Sequence, residues 1–493
     1  MSEIIYPPAL ARRILAGEAG GGAPARASVV VPTITRPGEP FAVKLAVVDA
    51  VGLPSLAFDG AVAVRLPDAA QEVVEVPFAA GSPAVAQIRG VRLDAEGLVR
   101  LEAELDGRDF ASNPTCCRPD GQPIVWGDPH VHTYLSDCGP QRGRSLNFCY
   151  VAAEWLSGLD WVAAADHVSW GRCSPGKWLD QAATSNAYDR PGRFATLPAY
   201  EASLDGGLGG DNNVYMTRWP ETWIDVWDEK GDTKELCRRM GELVNEDEFF
   251  IVPHHTTRTG KHGEIPAAIY PGARMMPVME IHSDWGTSEY RGNPNPLKEV
   301  HPGPSYAVDL LAQGLPLGFV AGTDSHATMP SWHTPGEPDH IDRLPGLTAV
   351  RSGELTRRGV FEAIRGRNCY AASFERVYLD VRIAGAAGGQ TVAWPDPARP
   401  RPITVTAAAQ SDITAIEVVR NGVTIARDKP GSWQGRIDLA DDADLAGEWL
   451  DDPIGCVAPA RNGGGGRFAY YYVRVTCASG AQAWSSPVWV TCA

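Results

Sequence analysis

Apolar residues alternate with other residues at period two early in the chain. Phe41, Val43, Leu45 and Val47 form one such run; Val62, Val64 and Leu66 form another, and Val74 with Val76 a third. Short alternating runs broken by Pro and Gly predict a small antiparallel β-sandwich over residues 1–122. From Ile124 the texture changes, and apolar runs alternate with helical periodicity. Ser145 is placed to cap a helix with Phe148, Val151, Ala152, Trp155 and Leu156 on one face. Leu236, Met240, Leu243 and Val244 mark a second helix, and Leu355, Phe361 and Ile364 a third. That alternation predicts βα units and a mainly parallel sheet or barrel over residues 123–375. Beyond it, Val377, Leu379, Val381 and Ile383 alternate again. Asn421-Gly422 between two apolar runs is a hairpin signal, and two aromatic-rich strands close a second β-rich region, 376–493.

Composition narrows the function. The chain has 493 residues, 44% of them hydrophobic, and a net charge of −16 from 44 basic and 60 acidic residues. That acidic excess argues against a nucleic-acid or anionic-membrane partner and leaves a small-molecule substrate. No apolar run reaches the ~18 residues a membrane span needs. The first residues lack the apolar core of a signal peptide, so a cytoplasmic location is expected. Ten cysteines without CxxC spacing read as free thiols.

The chemistry gathers after apolar runs of the central segment. IVWGDPHVH delivers Asp128, His130 and His132; LDWVAAADH delivers Asp166 and His167; FATLPAYE delivers Glu201. FFIVPHH ends in His254 and His255, PVMEIH in Glu280 and His282, and LGFVAGTDSH in Asp324 and His326. All eleven histidines lie between positions 130 and 340. His130 and His132 are two apart, so on an extended segment both point to one side, and Asp324 with His326 repeats the geometry. Imidazoles mixed with carboxylates, without a thiolate pattern, favour catalytic Zn, Mn or Fe.

GDPHVHT, AADH, AYE, PHH and GTDSH, in this order, resemble the motifs of the PHP (polymerase and histidinol phosphatase) superfamily of metal-dependent hydrolases. WGDPH, GLDWV, NNVYM and AWSSPVWV further resemble a multidomain subgroup related to carbaryl-hydrolase-like enzymes. The resemblance implies a distorted (β/α)7 barrel flanked by N-terminal and C-terminal β-sandwich-like domains, with two or three divalent ions. By motif, His130, His132 and Asp324 bind one ion. Glu201 bridges it to a second, held by His254 or its neighbour His255, and His167 with His326 binds a third. The subgroup places a His where this chain has Asp211.

A metal-activated water then attacks phosphorus or a carbonyl carbon, with Asp166 or a spare histidine such as His255 moving the proton. Arg258, Lys261 and His262 follow one ligand run, and Arg172 and Lys177 another; they suit an anionic substrate or form a solvated loop. Trp170, Trp178, Trp285 and Trp332 suit an aryl substrate or pack between domains. A phosphoester is the first expectation and a carbamate or carboxylic ester the second. A non-catalytic binding protein is the competing class.

Overall fold

The computed structural model describes the chain except residues 1, 19–21, 67–71, 138–142, 205–208, 228–229, 259–264, 266, 298–302, 333–343, 459–465 and 493. Two four-stranded sheets face each other near the N-terminus. One contains Phe41–Val48 and Val85–Val91, the other Gly60–Arg65 and Val73–Phe78. Val43, Leu45 and Val47 pack against Val62, Val64 and Val76 between them, so the alternating runs bury the faces their periodicity predicts. A helix, Ala9–Glu18, precedes these strands and buries Ala11 and Leu15.

The expected (β/α)7 barrel is not what the chain forms. Strand makes up 41% of the described residues and helix 16%, with six α-helices among them. A closed parallel barrel needs a crossover after each strand. Here Asp211–Met216 runs antiparallel to both Ala199–Ser203 and Phe249–His254. Ile124–Val131 runs parallel to Trp161–Ala164 but antiparallel to Gly346–Arg351. The apolar strands of the central segment therefore divide among three sheets. One has fifteen strands, one joins Ala199–Ser203, Asp211–Met216 and Phe249–His254, and one contains Val278–Ser283 and Gly318–Ala321. Strands buried on both faces read as unbroken apolar runs whatever the direction of their neighbours, so periodicity did not distinguish these pairings.

The three sheets meet over one apolar core, to which Trp161, Tyr215, Phe250, Val278, Val320 and Phe361 contribute. Gly127 makes this packing possible, because a Cβ there would fall 2.1 Å from the Trp161 ring. The largest sheet continues without a break into the C-terminal strands, through Tyr370↔Ser485, Ala371↔Trp484 and Ala372↔Ala483. A buried polar joint reinforces this passage. Glu289 accepts hydrogen bonds from Tyr472 Oη (2.6 Å), Arg474 Nη1 (2.6 Å) and Trp484 Nε1 (2.7 Å). The hairpin predicted at Asn421-Gly422 forms, with both residues at positive φ (49° and 79°). No described helix is long and apolar enough to cross a membrane.

Candidate metal centre

The site is assembled where three strands and two tight turns converge. His130 lies on Ile124–Val131 and His132 just after it; Glu201 lies within Ala199–Ser203; His254 ends Phe249–His254. His255 and Asp324 follow in left-handed backbone, φ 52° and 54°, a conformation that costs a non-glycine residue energy and gathers at functional sites. Asp128 clamps the turn carrying Asp324. Its carboxylate accepts from Thr323 N (3.0 Å), Thr323 Oγ1 (2.7 Å) and Ser331 N (3.1 Å). Gly322 leaves room for the pair beside it, since a Cβ there would lie 2.6 Å from His130 Cβ and 2.8 Å from Glu280 Oε2.

The donor atoms crowd together. His132 Nε2 is 3.1 Å from His130 Nε2, 2.9 Å from Asp324 Oδ1 and 3.1 Å from Glu201 Oε2. His167 Nδ1 is 3.2 Å from Glu201 Oε2, His254 Nε2 is 3.3 Å from Glu201 Oε1, and His255 Nε2 is 2.8 Å from Asp324 Oδ2. Four overlapping triads have donor atoms mutually within 4.8 Å: His132–His167–His326, His130–Glu201–His254, His130–His132–Asp324 and His254–His255–Asp324. Ligand atoms about 2.1 Å from a common ion stand roughly 3.0–3.4 Å apart, so these separations fit cation ligation.

Polar satisfaction supports the same fit. Glu201 Oε2 and His167 Nδ1 are fully buried and make no well-directed hydrogen bond, despite standing close together. Buried polar atoms ordinarily find partners. Atoms that face one another without donor geometry suit a shared cation instead. Three carboxylates, Glu201, Glu280 and Asp324, are nearly sealed from water here, and buried negative charge calls for positive charge nearby.

The electrostatics agree. Burial opposes ionisation of Asp324, yet His130, His132 and His255 hold its carboxyl well below the usual range. Glu201 is likewise held low against burial by the imidazoles around it, His254 among them. Burial pushes His167 down to about 3, leaving a neutral imidazole with a lone pair to donate. Burial also opposes charge on His132, but Asp324 and Glu201 prevail and raise it to about 9. The carboxylates thus favour positive charge at the centre of the cluster.

The supporting contacts are largely ones the motifs did not reveal. Asp166 stands one contact behind His132. Its oxygens accept from Thr133 N (2.7 Å), Thr133 Oγ1 (2.8 Å) and Ser136 Oγ (2.6 Å), and Ser136 Oγ contacts His132 Nδ1 at 2.9 Å. Asp166 therefore orients His132. Ser136 is a short-range partner, four residues beyond His132, with no signal of its own beyond the Thr133 cap of its turn. His282 turns away toward Thr287 Oγ1 (2.8 Å) and the Leu344 carbonyl (2.7 Å).

Above the donors opens a cleft of about 190 Å3, lined in part by His167, Asp211, His255, Arg258, Asp324 and His326. Arg172, Trp170 and Trp285 also line it. Lys177 does not: its ammonium binds Asp137 Oδ2 (2.5 Å) and the carbonyls of Leu135 and Arg172. Trp178 is buried against Tyr200 and Trp219. Trp332 packs on Phe374 and Arg26, at the joint with the N-terminal strands. Lys261, His262, His301, His333 and His340 lie outside the described residues.

No family model matches the chain. It is similar to an uncharacterized protein of Chlamydia pneumoniae, 28% identical over 391 residues, covering 77% of this chain and 60% of that protein. It is also similar to uncharacterized proteins of Chlamydia muridarum and Chlamydia trachomatis serovar D, 33% and 31% identical over 222 residues, 43% of this chain and 34% of each relative. The chain thus spans less than two thirds of the length of each of these relatives. Among solved structures, a Bacteroides uniformis beta-glucuronidase aligns over 94% of this chain and 60% of its own, at 8% identity and a TM-score of 0.20, a likeness too low to carry an argument.

Proposed function

We propose that this chain is a metal-dependent hydrolase that binds two or three divalent ions, Mn, Zn or Fe, and acts first on phosphoesters. One observation carries this reading: the carboxylates of Glu201 and Asp324 stand within 3.5 Å of five imidazoles in a buried cluster. The proposed kinship with PHP-type hydrolases rests on the order of the motifs and not on a barrel. The nine described cysteines are free thiols, which suits the proposed cytoplasmic setting.

His130, His132 and Asp324 would hold one ion, Glu201 would join it to a second held by His254, and His167 with His326 would hold a third. Glu280 keeps Nδ1 of His130 engaged at 3.1 Å, which directs Nε2 into the cluster. When bound, the ions lower the pKa of a water and offset charge on the reacting oxygens. His255 contacts Asp324 Oδ2 at 2.8 Å and lines the cleft, where an imidazole can pass a proton to a leaving oxygen. In the overall reaction the water oxygen bonds to phosphorus, the bond from phosphorus to the ester oxygen breaks, and a proton ends on the released alcohol.

A second reading, an aryl carbamate or carboxylic ester hydrolase on the same residues, is favoured by Trp170 and Trp285 in the cleft. The competing non-catalytic reading leaves the donor cluster without use. A panel of aryl phosphates, phosphodiesters, aryl esters and carbamates, assayed after reconstitution with Mn, Zn or Fe, separates these. Phosphoester turnover that disappears in Asp324→Ala supports the first reading. Metal binding without turnover of any substrate class rejects hydrolysis.

A further inference from the structure

We infer that the cleft selects a small flat aromatic compound carrying an anionic group, gripped by two arginine-on-tryptophan pairs. Turnover of such a compound rests on the hydrolase proposed above; the binding stands apart from it.

The two pairs flank the donor cluster. Arg172 lies 4.5 Å from the ring centre of Trp170, and Arg258 lies 4.3 Å from that of Trp285. Each indole in turn meets a histidine of the cluster. Trp170 is edge-to-face with His167 at 5.5 Å, and Trp285 with His255 at 5.3 Å and His326 at 6.3 Å. A guanidinium lying over an indole face is held near the ring by cation–π attraction, which limits the side-chain freedom lost when it meets an anion. The indoles supply the flat apolar surface that a ring in the ligand needs.

The backbone holds both pairs in place. Trp170 sits at φ 60° and the next residue, Gly171, at φ 69°, a tight turn that puts the indole on the cleft side. Lys177 Nζ fastens that turn through the Arg172 carbonyl at 2.8 Å. Arg258 N donates to the His255 carbonyl at 2.8 Å, so Arg258 leaves the same turn that carries a cluster histidine.

Charge and size define the ligand. Glu201, Asp211 and Asp324 also line the cleft, on the side of the donor cluster where bound ions would offset them, and the cationic side chains among its described lining residues other than histidine are these two arginines. Their donors suit a phosphate or carboxylate. A cleft of about 190 Å3 falls below the ~300–1,000 Å3 typical of drug-sized ligands, so the part of the ligand it encloses is about one ring with one small anionic group.

The test is calorimetric titration of the full chain, reconstituted with Mn, using phenylphosphonate, methylphosphonate and benzyl alcohol, none of which a hydrolase cleaves. Phenylphosphonate is expected to bind at least tenfold more tightly than either partial analogue. Arg172→Ala and Arg258→Ala should each weaken it roughly tenfold or more. Trp285→Leu should abolish the preference for phenyl over methyl, with Trp285→Phe retaining much of it, at unchanged metal content. Equal affinity for phenylphosphonate and methylphosphonate, or indifference to both arginine variants, overturns the inference. If phenylphosphonate binds as expected but no ester is cleaved, the hydrolase proposal falls and the cleft assignment stands. If neutral phenyl acetate is cleaved and phenylphosphonate does not bind, the assignment falls and the hydrolase stands.

Discussion

Glu280 Oε2 stands 3.1 Å from His130 Nδ1, and both side chains are buried. The contact settles which ring nitrogen of His130 faces the cluster. It leaves Nε2 opposite His132 Nε2 at 3.1 Å and Asp324 Oδ1 at 3.4 Å. Carboxylates in this position typically change metal affinity about 10–100-fold. Glu280→Ala is therefore expected to weaken Mn or Zn binding by that factor, and Glu280→Gln, which keeps an acceptor, by less. Metal titration followed by elemental analysis measures it. Unchanged affinity in Glu280→Ala would contradict this role.

The number of donors sets the number of ions. Four overlapping triads are more than one ion employs, so the reconstituted protein should hold at least two divalent ions per chain. Less than one ion per chain after reconstitution and dialysis would remove the multinuclear reading. His130→Ala and Asp324→Ala should lose ions and turnover while keeping the far-ultraviolet circular dichroism of the parent.

Asp211 lines the cleft beside His167 and pairs in register with His254. An imidazole suits zinc better than a carboxylate does. Asp211→His should retain metal and shift preference from Mn toward Zn in a competition experiment. Loss of all metal would show that the position tolerates no larger ring, and an unchanged preference would place Asp211 outside ligation.

Arg474 joins the C-terminal strands to the central segment through Glu289. Removing one partner of a buried ion pair costs about 3–5 kcal/mol, because the other charge is left uncompensated. Arg474→Met should lower stability by that order in urea unfolding. Burial raises the Glu289 pKa, and Arg474 opposes the rise. Without Arg474 the rise is larger. A raised acid pKa contributes stability below the unfolded value and loses it as pH climbs through the folded value. The deficit of Arg474→Met should therefore shrink toward pH 4 and grow toward neutrality. A deficit independent of pH would show that lost packing, not the stranded carboxylate, is responsible.

Local patterns in the sequence determined the elements and their chemical cargo. Ser145 caps the helix Leu146–Val151, accepting from Phe148 N at 3.2 Å, and the Asn421-Gly422 hairpin closes where the dipeptide predicts, because capping and turn chemistry act over a few residues. His130, His132, Glu201, His254 and Asp324 were legible as a set from residue type and from the apolar runs that carry them. How those runs pair was not. A strand buried on both faces looks the same beside a parallel or an antiparallel neighbour, so the three-sheet arrangement in place of a barrel appears only in the tertiary structure. The same holds for Asp166, Trp332 and Lys177. Each stands next to a motif in sequence, yet Thr133 and Ser136, Arg26 and Phe374, and Asp137 draw them into structural contacts. Which side chains share a cleft is decided by contacts between residues far apart in the chain, such as Glu280 with His130 and Asp324 with His132, and no local pattern encodes those distances.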